Sequence, residues 1–278
     1  MFPVFHITRH FSRIFLNTPK LIALDMDGTL LDGNGQLPPE FPRVVKRAKQ
    51  LGVTLAPASG RQLSTLEKMF PDMSTFIAEN GTVVVHGGEI VGTTPLKNAD
   101  VHAILQARES IEKPHMTVLC TPSMAYAEKD SPESARDELD KYYKANTLVD
   151  SLTDYADEEV IKIAIFCAEG TEEFVAPVLY DVIDAQNVAI SGQVWVDCMP
   201  NNANKGVALE QLAEILSVDI AQTAAFGDFL NDYELLKSAG LAVAMENAHE
   251  KLKEIADRIA PPNTEYGVIT VLDELLGT

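Results

Sequence analysis

No stretch of the chain approaches the roughly 20 consecutive apolar residues that a membrane-spanning helix needs, although 46% of the 278 residues are hydrophobic. That apolar content is broken up by charge and turns and is available for a core. Cysteine is scarce. Cys120, Cys167 and Cys198, an odd and scattered three, form neither a disulfide framework nor a zinc site, and they read as buried free thiols. The six histidines show no HxxxH spacing. The largest deficit is positive charge. Twenty-two Lys and Arg stand against 41 Asp and Glu, for a formal net charge of -19. That argues against nonspecific binding to nucleic acid or to anionic membrane surfaces. An anionic substrate must then be drawn in by a local feature, a metal ion or a few placed cations, because the global field repels it. The expected partner is a small molecule and the expected location the cytoplasm, with the protein a monomer or a homodimer. Internal repeats and low-complexity linkers are also missing.

Residues 1–19 run against the acidic trend. Phe2, Phe5, Phe11 and Phe15 accompany Arg9 and Arg13, and no acid precedes Asp25. A basic, aromatic arm of this kind suits a targeting or surface-binding segment; with neither a small-residue cleavage site nor a clean apolar segment of signal-peptide type, it reads first as an N-terminal extension that packs loosely or is disordered.

What is present is concentrated at Leu21-Ile22-Ala23-Leu24-Asp25-Met26-Asp27-Gly28-Thr29-Leu30. Four apolar residues run into two aspartates one residue apart, then into a loop carrying Gly28, Gly33 and Gly35. A short apolar run bounded by turn signals reads as a fully buried strand of a parallel sheet, and the C-terminal ends of such strands are where open α/β sheets place ligands. A helix is expected over 38–51, with Gly52 as its stop, then a strand over 53–56, a helix over 61–69 and a strand over 75–78. That alternation implies right-handed crossovers. After a hairpin around His86-Gly87-Gly88 the pattern changes. Helices at 98–111, 132–145 and 171–185 mix with strands at 116–121, 160–167, 188–191 and 194–198. From Asn204 the parallel pattern returns, with strands at 223–226 and 240–244 between helices. The fold expected is therefore a doubly wound, Rossmann-like α/β core, residues 20–84 and 199–278, interrupted by an α+β insertion over 85–198.

Each core strand ends in small or polar residues: Asp25 and Asp27, Ser59-Gly60, and Gly227-Asp228-Phe229-Leu230-Asn231-Asp232. Lys205 opens the helix after the insertion. In a parallel sheet these ends share one edge. Mg²⁺ prefers oxygen ligands, one or two of them carboxylates, completed by water and substrate phosphate; Asp25 and Asp228 can supply the carboxylates. A carboxylate can also attack phosphorus. Asp27 can move protons to and from the reacting oxygens, Ser59 and the following backbone N–H can hold phosphoryl oxygens, and Lys205 adds positive charge at the nucleophile.

In order, Asp25-Met26-Asp27-Gly28-Thr29-Leu30, Ser59-Gly60-Arg61, Asn204-Lys205-Gly206 and Gly227-Asp228-Phe229-Leu230-Asn231-Asp232 resemble the four motifs of the haloacid dehalogenase-like superfamily. The insertion between the second and third motifs is similar to the large α/β cap of its Cof-type branch. So are Glu79-Asn80-Gly81 and Met245-Glu246-Asn247-Ala248. The resemblance covers about residues 20–277. It implies a Mg²⁺-dependent phosphatase of small phosphorylated metabolites, often sugar phosphates. It makes Asp25 the nucleophile and a metal ligand, and Asp27 the general acid/base and a ligand through its carbonyl. Asp228 becomes the other metal carboxylate. Met26 (by its backbone), Ser59, Gly60, Lys205 and Asn231 hold phosphate, and Asp232 orients Lys205 or a metal-bound water. A phosphosugar mutase, or a catalytically silent phosphometabolite-binding protein, are the alternative readings. Ser59 replaces the usual Thr, which keeps the hydroxyl, and Phe229-Leu230 makes the fourth-motif loop more apolar than usual. Trp195 is expected in the cap core, Arg61 on a helix surface and Asn247 as a helix N-cap.

Overall fold

The computed structural model describes residues 18–190 and 193–277. The N-terminal extension read from residues 1–19 lies almost wholly outside them, as does Ser191, the last residue of the strand read over 188–191. The apolar run before the two aspartates forms β1 (Leu21–Asp25), with no exposed residue. The first half of the core continues through α1 (Phe41–Leu51), β2 (Thr54–Ala58), α2 (Leu63–Met69) and β3 (Phe76–Ala78). Phe41, Val44 and Ala48 bury one stripe of α1, and Gly52 closes it in the left-handed conformation at φ 69°. β4 (Val83–His86) and β5 (Glu89–Thr93) follow as a hairpin whose two turn residues, Gly87 and Gly88, both have positive φ, the requirement of a type I′ turn.

The hairpin pairs antiparallel onto β3, so the core sheet continues to Thr93. The boundary read at 84/85 therefore cuts through the hairpin. Val83, Val84 and Val85 form a buried strand of the core, and the insertion begins beyond it.

The insertion holds α3 (Asn98–Ala107), β6 (Met116–Cys120), β7 (Ala125–Glu128), α4 (Glu133–Tyr142), β8 (Asn146–Val149), β9 (Lys162–Phe166), α5 (Thr171–Phe174), α6 (Ala176–Tyr180), β10 (Val188–Ile190) and β11 (Trp195–Cys198). Its strands form a six-stranded sheet in the order β10-β11-β9-β6-β7-β8. Strand alternation divides the two faces. Leu119, Ile163, Ile165 and Val196 pack with Val101 and Ile104 of α3 and Leu179 of α6. Val118, Ala164, Phe166 and Trp195 join Leu139 and Tyr143 and the core-domain cluster. The expected helix over 171–185 is broken, because Pro177 follows Ala176 at the start of α6, where proline is tolerated. β7 and β8, short and partly polar, were not expected.

The core resumes with α7 (Lys205–Ile215), β12 (Thr223–Gly227), α8 (Tyr233–Ser238), β13 (Leu241–Met245), α9 (Glu250–Ile255), β14 (Arg258–Ala260) and α10 (Gly267–Leu276). The core sheet runs β14-β13-β12-β1-β2-β3-β4-β5, parallel from β14 through β3. Numbered by appearance, the six parallel strands have the order 3-2-1-4-5-6. That is the doubly wound order whose reversal beside the first strand opens a crevice at the carboxyl ends. Right-handed crossovers then put α1 and α8 on opposite faces. No helix among the described residues is long and apolar enough to cross a membrane.

Candidate active site

The crevice at the β1/β12 reversal collects the motif residues. Asp25 ends β1 and is 5% exposed. Lys205, the first residue of α7, is 1% exposed, and its Nζ donates to Asp25 Oδ1 at 2.5 Å and to Asp232 Oδ1 at 2.7 Å. Asn204 positions it by capping α7: the Asn204 side chain accepts from the Val207 N–H at 2.9 Å. The other oxygen of Asp232, Oδ2, accepts from the Asp228 and Phe229 backbone N–H groups at 3.1 and 3.3 Å. Asp232 thus ties the lysine to the loop that carries Asp228.

Asp228 is held from across the crevice. Thr29 Oγ1 donates to its Oδ1 at 3.1 Å, and the His249 N–H donates to its main-chain carbonyl at 2.8 Å. Gly28 is required beside it. Its φ is +81°, and a Cβ there would lie 2.2 Å from Asp228 Oδ2. Asn247, expected as a helix N-cap, does something else. His249 caps α9, while Asn247 Nδ2 donates to the Gly28 carbonyl at 2.8 Å and its Oδ1 accepts from the Asn263 N–H at 3.0 Å. It fixes the loop that begins at Asp27.

The oxygens of Asp25, Asp228 and Asp232 lie within 4.8 Å of one another. Three carboxylates share a single buried lysine, and the imbalance shows in their protonation. Burial, with repulsion from Asp232 and Asp228 outweighing part of the Lys205 attraction, pushes the Asp25 carboxyl up to about 7. Burial and repulsion from Asp232 push Asp228 up to about 6. Lys205 is raised as well, which in its case favours the charge: burial disfavours the ammonium, but Asp25 and Asp232 more than offset that. A cluster of hard oxygen donors with uncompensated negative charge fits a Mg²⁺ ion. Asp232 falls within the distance but has both oxygens occupied by donors, so Asp25 and Asp228 are the carboxylates able to hold the ion.

Asp27, two residues beyond Asp25, points instead toward the cleft mouth. Its side chain is 62% exposed and accepts from Arg61 through both oxygens, Nε to Oδ2 at 3.1 Å and Nη2 to Oδ1 at 2.6 Å. Arg61 is therefore not an idle surface residue. Ser59 ends β2 almost buried; its Oγ accepts from the Arg61 N–H at 3.2 Å, and its backbone pairs with Ile77 and Asn80. Gly60 faces Asn80, and a Cβ there would approach the Asn80 side chain to 2.9 Å.

A cleft of about 730 Å³ joins these groups. Asp25, Asp27, Ser59, Gly60, Asp228 and Asn231 line it from the core. From the cap come Tyr142, Tyr143, Lys162, Trp195 and Asp197, the last three on alternate residues of the sheet face turned toward the core. Met26 and Lys205 do not line it. The Met26 side chain is core, so only its backbone is available for phosphate, and Lys205 sits behind Asp25 with its charge directed at the carboxylate. Trp195 is both cap core and cleft wall: it is 7% exposed, packed by Phe166, Tyr142 and Tyr143.

Two contacts across the cleft were not anticipated. Gln62 donates to the Ala145 carbonyl at 2.8 Å and accepts from the Ala145 N–H at 2.9 Å. Lys162 of the cap meets Glu79 of the core at 2.5 Å, both buried. A signal for the second exists in the sequence, since Lys162 is the lone charge inside the run from Val160 to Phe166, and a lone buried charge demands a partner.

The family model described as haloacid dehalogenase-like hydrolase matches residues 22–272. The chain is 28% identical over 263 residues to the 5-amino-6-(5-phospho-D-ribitylamino)uracil phosphatase YbjI of Escherichia coli, covering 92% of this chain and 96% of that one. It is 28% identical to the phosphatase YwpJ of Bacillus subtilis over 286 residues, covering 92% and 100%. A crystal structure from Eubacterium rectale superposes with a TM-score of 0.84 at 30% identity, covering 93% of this chain and 99% of that one. A haloacid dehalogenase-like hydrolase of B. subtilis gives 0.74 at 27% identity, covering 92% and 99%. With four motifs converging on one crevice beneath an inserted cap, and with a family match over nearly the whole described length, the chain belongs to the haloacid dehalogenase-like hydrolases and is a phosphatase of their Cof type.

Proposed function

We propose that the protein hydrolyses small phosphate monoesters in a Mg²⁺-dependent reaction through a phosphorylated Asp25. The observation that carries this reading is the Lys205–Asp25 contact at 2.5 Å inside the buried carboxylate cluster. A buried lysine, held in place by Asp232, orients one carboxylate at the floor of the cleft and favours its ionised form, as a nucleophile requires, against the burial and like charges that oppose it. Asp25 attacks phosphorus, the bond to the ester oxygen breaks, and Asp27 gives that oxygen its proton. Water then attacks the phosphoryl group on Asp25, Asp27 takes the water's proton, and orthophosphate leaves with Asp25 regenerated. Ser59, the Gly60 backbone, the Met26 backbone and Asn231 would hold the phosphoryl oxygens. Asp25 and Asp228, with the Asp27 main-chain carbonyl, would hold the ion. When bound, the ion offsets the carboxylate repulsion and polarises the phosphoryl group.

The substrate class proposed is a phosphorylated sugar or a related metabolite. The volume of the cleft leaves room well beyond a phosphate, and the cap wall offers aromatic surface (Tyr142, Trp195) beside hydrogen-bonding groups (Lys162, Asp197). Such a wall suits a polyol chain or ring. The E. coli relative is named for a substrate of this kind, a ribityl phosphate bearing a uracil.

The test is phosphate release from 4-nitrophenyl phosphate and from a panel of phosphorylated metabolites, with and without Mg²⁺. Wild type should release phosphate only with the ion, and Asp25→Asn should release none. Equal turnover by Asp25→Asn would remove Asp25 as nucleophile. Isomer interconversion without net phosphate release would make the protein a mutase.

A further inference from the structure

The pairing of Asp27 with Arg61 conflicts with the task proposed for Asp27. A carboxylate that accepts from a guanidinium through both oxygens is oriented by that guanidinium rather than by a leaving group, and guanidinium is the cation least able to give up its charge. With Nη2 at 2.6 Å and Nε at 3.1 Å, Asp27 is parked. What frees it must be something that Arg61 prefers. Arg61 lines the cleft immediately after Ser59-Gly60, where the phosphoryl group is proposed to sit. The planar fork that matches a carboxylate also matches phosphate, which carries up to two charges against one. The backbone of Arg61 is anchored independently of its side chain: its N–H donates to Ser59 Oγ and its carbonyl accepts from the Glu79 N–H at 3.1 Å. The guanidinium, 37% exposed on its side chain, can therefore swing without disturbing the loop.

We propose that Arg61 is an interlock: it holds Asp27 away from the reacting atoms in the empty site and is transferred to the substrate's phosphoryl oxygens on binding, which releases Asp27 to face the leaving oxygen. No covalent bond changes in this exchange; one ion pair replaces another. The proposal rests on the proposed assignment of Asp27 as proton donor.

The test uses Arg61→Ala and Arg61→Lys in the full chain, with wild-type turnover established first. Two substrates are compared: 4-nitrophenyl phosphate, whose leaving oxygen needs no proton, and an alkyl phosphate such as glycerol 3-phosphate or a hexose phosphate, whose oxygen does. Inorganic phosphate serves as competitive inhibitor. Exchange predicts that Arg61→Ala raises KM for both substrates and the inhibition constant of phosphate by the same factor, about 10-fold or more for a lost charge-assisted contact. The ratio of alkyl to aryl kcat should be unchanged, and Arg61→Lys should lie between. If Arg61→Ala lowers kcat for the alkyl ester alone and leaves KM in place, Arg61 stays on Asp27 throughout and the exchange is wrong. If neither constant moves, the pair is an ordinary surface contact and the proposal fails equally. Absence of wild-type turnover would instead strike at the proposed function itself.

Discussion

Lys162 and Glu79 offer the sharpest test of how the cap is seated, because each belongs to a different domain and both are almost wholly buried. Glu79 is 1% exposed and Lys162 5%, with Nζ and Oε2 at 2.5 Å and the Tyr143 ring centroid 5.2 Å from the ammonium. Burial alone would drive the lysine neutral, but Glu79, then Tyr143 and further acidic groups, more than offset it and raise Lys162 well above its ordinary value. Removing one member leaves the other charged and enclosed, at a cost of about 3–5 kcal/mol, while removing both together is far milder. For a chain of this size that corresponds to a fall in Tm of roughly 6–20 °C. We predict such losses for Glu79→Gln and Lys162→Met singly, and a double variant less damaged than their sum by at least about 2 kcal/mol. Because the folded value of Lys162 is raised, its contribution is fully present below its unfolded value and disappears only as pH rises above 10.5. The stability that Lys162 contributes to the intact pair should therefore be the same at pH 6 and pH 9. Urea unfolding followed by far-ultraviolet circular dichroism reports the whole chain. Fluorescence of Trp195, the only tryptophan, reports the cap. If Lys162→Met costs under about 1 kcal/mol by both signals, the pair is hydrated in solution and the reasoning from a closed, dry contact between the domains is refuted.

Two further outcomes follow from the carboxylate cluster. Gly28→Ala places a methyl group 2.2 Å from Asp228 Oδ2 at a backbone φ of +81°, so Asp228 must move. Calorimetric Mg²⁺ affinity should drop at least about 10-fold, and unchanged affinity would mean Asp228 does not hold the ion. The raised carboxyls set a pH dependence of definite sign. Asp25 and Asp228 stand at about 7 and about 6 against 3.8 in the unfolded chain, so the stability these two groups contribute to the metal-free protein is fully present below 3.8 and is lost as pH rises through those values. Mg²⁺ binding should tighten over the same window with release of protons, and it should return stability above pH 7 in a thermal melt. A Mg²⁺ affinity constant from pH 5.5 to 8 would show that the ion is held elsewhere.

The core was legible in the sequence because its strands are short, apolar and buried on both faces, and each ends in residues that no packing argument requires. Asp25, Ser59, Lys205 and Asp228 are recognisable that way, and the sheet brings them together as expected. The edge of the core was misread for a related reason. Val83–Val85 is as apolar as a central strand, but the glycines after it suggested a new domain, whereas the hairpin simply folds back onto β3. β7 and β8 were missed because Ala125–Glu128 and Asn146–Val149 are held by pairing to neighbours more than by any pattern of their own. The relations between side chains were the least legible. That Arg61 takes Asp27, that Asn247 reaches Gly28, and that Lys162 finds Glu79 are facts about distance across 34, 219 and 83 residues of chain, and periodicity carries no such information.

β1 is hydrogen-bonded along both edges, to β2 and to β12, and Leu21 through Leu24 have no exposure. Its amides have no route to solvent except through separation of the whole core sheet. Among the described residues the outermost strands β5 and β14 each have only one neighbouring strand and can fray without consequence for the centre. Asp25 is thus fastened to the segment that opens last. A molecule whose margins or cap have loosened under heat or partial denaturation still carries its reactive carboxylate in register, so the chemistry should be among the last properties to fade, and recovery after stress should begin from a site already in place.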